Sequence, residues 1–305
     1  MNNFEKNTSQ FCLGISKPLN ILDKNTLQLI NYSLEKNFYV HTSLSYPVNF
    51  FFIKYFLTKK KRNRINFICK ILADTEENFK KSIHLTLKKF GIKKIHIVQL
   101  INLPISGEGL RNNMNLDNNE FFKIITLIDN YKKKGIIDKV YLQILSTDSL
   151  EFCKLFIKCL DGFAFYANLK EIQIKKEVFE LIKDKNIPSI ILSVFGNPDI
   201  NKIEKNLHID AFKFSQSFFS KNTIAVGRTL KISRLKEIIN IESSNKENFS
   251  PSFTETDEKQ DTAHNFYRRY KVTTFIYIII FMTKCLVKRI ITNKILNYFK
   301  KQNLF

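Results

Sequence analysis

A tyrosine and a lysine, two residue types that can take part in proton transfer, follow two consecutive apolar segments. The six residues from His41 to Tyr46 close a short apolar segment, and Lys70 closes the next one, twenty-four residues after Tyr46. A tyrosine hydroxyl can protonate a carbonyl oxygen when its pKa is lowered, and a neighbouring lysine ammonium lowers it. The neutral ring of His41 can accept a hydrogen bond from either partner. A tyrosine and a lysine that the fold brings together would therefore have the chemistry for proton transfer.

The elements that would position these residues are short apolar segments alternating with longer amphipathic ones between residues 11 and 240. Such short segments are typical of buried parallel strands. Eight strand-helix units predict a (β/α)₈ barrel, and an open doubly wound sheet is the alternative. No G-x-G-x-x-G follows the first strand, which argues against the usual dinucleotide-binding sheet. The apolar segments are Phe11–Ile15, Phe38–Val40, Ile65–Cys69, Ile95–Leu100, Val140–Leu145, Phe163–Tyr166, Ser189–Val194 and Thr223–Val226.

Three of the intervening stretches have clear helical periodicity. Apolar residues recur every three to four positions in Asn25–Lys36, Glu76–Phe90 and Glu120–Lys134. Gly91 and Gly135 stand just past two of them, where a left-handed cap residue is favoured. The sequence therefore predicts where at least two helices end.

Charge is unevenly distributed over the 305 residues. The whole chain carries a formal net charge of +21, of which residues 1–240 contribute +16. Residues 241–265 carry −4, whereas residues 266–305 hold nine Lys or Arg and no Asp or Glu. An excess of positive charge attracts nucleic acid, anionic lipid or phosphorylated ligands. The C-terminal forty residues are the most densely charged part.

The chain is predicted to divide into a barrel at 1–240, a flexible linker at 241–265 and a basic, apolar helical tail at 266–305. The linker is rich in Ser, Thr, Asn and Glu. In the tail, the apolar core Val272–Thr283 is shorter than the roughly twenty residues that a membrane-spanning helix needs. We therefore favour a helix lying on an anionic membrane surface. A helix that just spans a thinned bilayer and a helical hairpin packed on the barrel are the alternatives.

Other partner classes have weaker support. The basic run Lys59–Arg64 precedes the third strand without an aromatic-interleaved RNA motif, so we predict a solvated turn and no nucleic-acid partner. The five cysteines are scattered without metal-ligand spacing, so no metal site is predicted. The first residues lack an apolar signal core, which makes a cytoplasmic setting the expectation, with membrane association through the tail.

The order of these motifs resembles the aldo/keto reductase family. His41-Thr42-Ser43 stands where the family has Asp-Thr-Ala/Ser, with Tyr46 at the family's five-residue offset and Lys70 ending the third strand. The turn Lys134–Asp138, the strand end Phe165–Asn168 and the segment Thr223–Thr229 continue the likeness. The resemblance implies a TIM-barrel oxidoreductase that uses NADP (NADPH) to reduce a small-molecule carbonyl, or to oxidise the alcohol.

The resemblance also implies roles for residues. Tyr46 would be the acid and Lys70 its tuner, while His41 replaces the family's carboxylate. The position of the family's active-site histidine holds Ile101, or Asn102 if the correspondence shifts by one residue. The implied cofactor-binding residues are Asn168, Gly227, Arg228, Thr229 and Arg234.

Two functional hypotheses follow from this incomplete set. The first is an active NADP-dependent reductase with an altered active site. The second is a catalytically degenerate barrel that serves as a binding or scaffold protein at a membrane surface.

Overall fold

The structure is a computed structural model of the 305-residue chain. It describes residues 11–15, 24–46, 53–54, 57–101, 119–195, 207–218, 222–227, 232–239 and 251–253, with single positions 279, 283 and 287. The predictions for Arg228 and Thr229, and nearly all of those for residues 241–305, lie outside the described residues.

Eight parallel strands form a closed barrel. Each strand pairs with the next one in the ring, and β9 returns to pair with β1. Closure confirms the predicted (β/α)₈ barrel and excludes the open sheet. The barrel strands are β1 (Phe11–Gly14), β2 (Tyr39–Ser43), β3 (Asn66–Leu72), β4 (Ile95–Ile101), β5 (Ile137–Gln143), β6 (Gly162–Tyr166), β8 (Ser189–Leu192) and β9 (Thr223–Gly227).

Local signals set the ends of the helices. In α3, the Thr75 hydroxyl accepts from the Asn78 backbone N–H at the first turn. Gly91 ends the same helix with φ 64°, and its N–H bonds the Leu87 carbonyl, as predicted for a left-handed cap. Gly135 has φ 66° at the corresponding place after α4. The helices are α1 (Lys24–Glu35), α2 (Lys59–Arg62), α3 (Glu76–Phe90), α4 (Asn119–Lys133), α5 (Leu150–Phe156), α6 (Lys176–Asp184), α7 (Leu207–Phe218) and α8 (Ile232–Ile239).

Strand alternation divides the core into two layers. In β3, Phe67 and Cys69 belong to the layer between strands and helices. Ile68 belongs to the smaller layer inside the barrel, with Ile97 and Tyr141 from the next two strands. Because successive strand residues point to opposite sides, Lys70 faces the interior like Ile68. Apolar side chains thus fill the middle of the barrel interior. Lys70 lies beyond them, towards the carboxyl ends of the strands.

A short two-stranded sheet lies beside the barrel. β7 (Glu171–Ile172) pairs in parallel with β10 (Ser252–Phe253), and the Ser252 N–H donates to the Lys170 carbonyl at 2.9 Å. The Phe253 ring packs on Phe179 with centroids 5.4 Å apart. The described part of the segment predicted as a linker therefore packs along the barrel. Among the described residues, no helix combines the length and apolar character needed to cross a membrane.

The basic run before β3 is partly used to hold the fold together. The Arg62 guanidinium donates to the carbonyls of Lys54, Leu57 and Gly91. The Lys61 ammonium donates to Asn31 Oδ1 at 3.1 Å. These bonds tie α2 to the neighbouring connections at the amino-terminal end of the barrel.

Candidate active site

Lys70 lies inside the barrel near the carboxyl end of β3. It is in register with Ser43 on β2 and Gln99 on β4, so these three residues face the same side of the sheet. Its Nζ donates to the Tyr166 hydroxyl at 3.4 Å and lies 5.8 Å from the centroid of that ring. Lys70 and Tyr166 are both half-buried. Barrel enzymes build their active sites at this end, which makes the pair the centre of the candidate site.

Tyr46 is placed beside His41 rather than beside Lys70. It follows β2 in a turn in which its N–H donates to the Ser43 carbonyl at 3.2 Å. Its ring lies 6.2 Å from the His41 ring between centroids. Within the described part of the chain, no hydrogen bond joins Tyr46 to Lys70. The structure therefore places Tyr46 beside His41. Lys70 instead contacts Tyr166, which was not predicted to belong to the site.

His41 begins a buried chain of polar side chains. Its Nε2 lies 2.7 Å from Gln99 Oε1, and Gln99 Nε2 donates to Gln143 Oε1 at 2.7 Å. Because the Gln99 amide donates onward, its oxygen must accept, which assigns the proton of His41 to Nε2. His41 is only 4% exposed. The chain joins β2, β4 and β5 across the barrel interior.

The electrostatics of His41 follow from this burial. Desolvation lowers its pKa to about 3, and the positive charge of Lys70 acts in the same direction. The hydrogen bond to Gln99 opposes the shift but does not overcome it. His41 is therefore neutral at physiological pH. It therefore neither carries a negative charge, as a carboxylate would, nor repels the lysine.

Two predicted cofactor contacts have structural roles of their own. Asn168 Oδ1 accepts from the Lys170 N–H at 2.9 Å, and its Nδ2 donates to Glu171 Oε1 at 3.3 Å, so the amide is engaged within its own turn. Gly227 ends β9 in close packing, where a β-carbon would overlap the Phe195 ring and lie 2.8 Å from Phe11 Cε2. Packing alone thus requires a glycine here.

Arg234 has the position and charge for a phosphate. It lies in the first turn of α8, the helix that follows the last barrel strand, and it is half-buried. Phosphate sites in barrels frequently form beyond the last two strands, and helix N-termini and guanidinium groups favour anions. The phosphate end of NADP therefore fits this part of the barrel. Gln143, at the end of β5, is also half-buried.

Sequence reasoning missed Tyr166, Gln99 and Gln143 as members of the site. A signal was available for Gln99, because an amide within the apolar strand Ile95–Ile101 must find buried partners. Tyr166 lay within the strand end Phe165–Asn168, where only Asn168 was predicted to belong to the site. Nothing local marks it as a partner of Lys70.

Other features of the described chain lie away from this site. A cavity of about 310 Å³ opens at the amino-terminal ends of β6 and β8, among apolar residues such as Phe156, Leu160 and Pro188. Its carboxylate, Asp161, is already bonded to the Lys132 ammonium and the Val140 N–H. Within the described ranges, no three His, Cys, Asp or Glu side chains are grouped as a metal site requires.

Comparison with known proteins rests on structure. No family model and no curated protein matches the sequence. A silkworm (Bombyx mori) aldo-keto reductase in complex with NADPH is 12% identical over 78% of this chain and 81% of its own, with a TM-score of 0.55. An aldo/keto reductase from Brucella melitensis is 12% identical over 86% of this chain and 94% of its own, with a TM-score of 0.52. The aldose reductase of Giardia lamblia is 7% identical over 76% and 87%, with a TM-score of 0.55.

The resemblance to aldo/keto reductases is confirmed at the level of the fold. The shared barrel covers the region that contains the sequence motifs. At these low identities the comparison shows the fold, and the roles of individual residues depend on their own geometry.

Proposed function

We propose that this chain is an NADPH-dependent reductase of small carbonyl compounds, with an active site rearranged around Lys70. The observation that carries the proposal is a lysine ammonium in contact with a tyrosine hydroxyl at the carboxyl end of an aldo-keto reductase-type barrel. The NADPH complex of the silkworm protein supports the choice of cofactor.

Each residue of the site has a separate role in the proposed reduction. NADPH, when bound, supplies a hydride to the carbonyl carbon. The Lys70 ammonium stabilises a tyrosinate, so the phenol becomes a stronger acid and gives its proton to the carbonyl oxygen. Arg234 holds a phosphate, and the Gln143 amide, fixed by Gln99, orients the nicotinamide. The apolar interior beneath the site excludes water from its inner side.

The alternative is a barrel that has lost turnover and serves as a binding or scaffold protein at a membrane. His41 favours it, because its neutral ring cannot supply the negative charge of a carboxylate. Ile101 favours it too, since it offers no proton donor. Each lost proton-transfer partner commonly costs about 10²- to 10⁴-fold in rate.

A fluorescence titration of NADPH against the full chain tests the proposal. We expect micromolar binding that Arg234→Ala weakens about tenfold or more, because a charge-assisted contact to phosphate is lost. Arg64→Ala is the matched control, since Arg64 is an exposed arginine at the opposite end of the barrel. If folded protein fails to bind NADPH, the reductase hypothesis is wrong. Binding without oxidation in the presence of carbonyl compounds would favour the degenerate barrel.

A further inference from the structure

We propose that Tyr166, and not Tyr46, is the proton-donating residue of this site, and that Lys70 activates it. The inference rests on the proposed reductase function for its catalytic meaning. The pairing of Lys70 with Tyr166 can be tested without it.

Tyr46 and Tyr166 differ in the charge of the side chain that each of them contacts. The Lys70 ammonium lies 3.4 Å from the Tyr166 hydroxyl, and a positive charge this close favours the ionised phenol. The ring in contact with Tyr46 is that of His41, which carries no charge at physiological pH. Only Tyr166 therefore has a described cation in hydrogen-bonding contact with its hydroxyl.

Position within the barrel favours the same residue. Tyr166 ends β6 on the inward face, two residues after Ala164, and it packs against the interior layer of the barrel. Lys70 reaches it across the interior from β3. Both side chains are half-buried, so the hydroxyl can contact a substrate that enters the carboxyl end while the rest of the ring stays fixed. Tyr46 stands beyond the end of its strand, in a turn.

The small residue at 164 makes this arrangement possible. Ala164 faces the interior between Tyr166 and the amino-terminal end of β6, and it is fully buried. A longer side chain there would compete with the Tyr166 ring for the interior of the barrel.

The proton-transfer step balances with the groups named. As the hydride from NADPH forms a new C–H bond at the carbonyl carbon, the O–H bond of Tyr166 breaks and its proton joins the carbonyl oxygen. The carbonyl is reduced to an alcohol and NADPH is oxidised to NADP⁺. The Tyr166 phenolate is held by the Lys70 ammonium until a proton from solvent restores the hydroxyl.

A spectroscopic titration tests the pairing independently of the cofactor. Tyrosinate absorbance is followed against pH, and subtraction of the Tyr166→Phe curve isolates Tyr166. We expect its titration midpoint to lie about one pH unit or more lower in the unchanged chain than in Lys70→Met. Lys70→Arg, which keeps the charge, should restore the low midpoint. A Tyr166 midpoint that Lys70→Met leaves unchanged overturns the inference, and so does a lowered midpoint found for Tyr46 instead.

A kinetic comparison then tests catalysis, with 4-nitrobenzaldehyde as the probe. We expect Tyr166→Phe to lower kcat about 10²-fold or more with KM for NADPH unchanged, and Tyr46→Phe to change it less than about tenfold. The reverse pattern overturns the inference. If the folded chain neither binds NADPH nor reduces the aldehyde, the proposed function fails, and the titration decides the Lys70–Tyr166 pairing by itself.

Discussion

His41 links the stability of the barrel to pH. Its pKa is about 3 in the folded chain, against an ordinary value near 6.5. Between these values the unfolded chain binds a proton that the folded chain does not. The free energy of unfolding therefore decreases as pH falls below about 6.5. Above this pH the contribution of His41 does not change. The loss approaches about 1.4 kcal/mol per pH unit, or about 2 kcal/mol between pH 7.5 and pH 5.

Urea unfolding at pH 7.5 and pH 5 measures this effect in the full chain. His41→Gln removes the titrating group, so we expect the difference between the two free energies of unfolding to shrink by about 2 kcal/mol. His84→Gln is the control, because His84 is an exposed histidine on α3. A pH dependence that persists unchanged in His41→Gln would show that His41 is not the linked group.

The sequence predicted where the candidate residues stand along the strands but not which side chains they contact. Each of His41, Tyr46 and Lys70 stands at or near a strand end, as the apolar segments indicate. The contact between Lys70 and Tyr166 spans 96 residues and depends on barrel closure. Spacing along the chain carries no information about such a contact. The resemblance to the family motif pointed to Tyr46 instead.

At the scale of the elements, Gly227 limits how β9 can pack. A β-carbon there would overlap the Phe195 ring and come within 2.8 Å of Phe11, so two buried rings would have to move. We expect Gly227→Ala to lower the free energy of unfolding by about 1–3 kcal/mol, because overpacking a buried core generally destabilises it by this amount. Chemical denaturation monitored by circular dichroism measures the change.

Gly14 provides the matched control on the neighbouring strand. A β-carbon at Gly14 would lie 3.3 Å from Val226 Cγ1, a contact that a small shift relieves. Gly14→Ala should therefore cost less than about 1 kcal/mol. Equal losses for the two variants would contradict the packing argument for Gly227, since only that position meets the two rings.

Elements with a strong periodic pattern were predictable, whereas the shortest ones were not. The eight apolar segments all became barrel strands, and Glu76–Phe90 was found with its cap glycine. The sheet formed by β7 and β10 was missed because a strand of two residues has no periodicity to read. Its Ser252 was instead part of a polar stretch whose composition is typical of linkers.

For the molecule as a whole, the alternation of segments predicts parallel strands joined by crossover helices. The pattern also allows an open sheet, and the pairing of β9 with β1 shows that the sheet closes into a barrel. A solved barrel shares this fold at 12% identity, so the prediction depends on the pattern rather than on residue identity. The distribution of charge is a separate property of the whole chain, and it leads to a prediction about surfaces.

The tail at 266–305 is predicted to bind anionic membranes. It has nine Lys or Arg and no acidic residue, and each basic residue near an anionic surface contributes about 1 kcal/mol. We expect the full chain to co-sediment with vesicles containing phosphatidylserine at low salt and to dissociate as salt screens the charges. A chain ending at Asn265, which retains the barrel and β10, should bind at least about tenfold more weakly.

Two sets of substitutions and neutral vesicles separate the tail from the general basicity of the protein. Residues 1–240 carry +16, so the barrel itself could attract lipid. Neutralising Lys59 and Lys60, which lie in the exposed basic run at α2, should leave binding unchanged if the tail is responsible. Replacing Lys288, Arg289 and Lys294 by glutamine should instead reduce it markedly. Equal binding by the chain ending at Asn265 would assign the lipid affinity to the barrel. Equal binding to neutral phosphatidylcholine vesicles would show that apolar insertion, rather than charge, causes the binding.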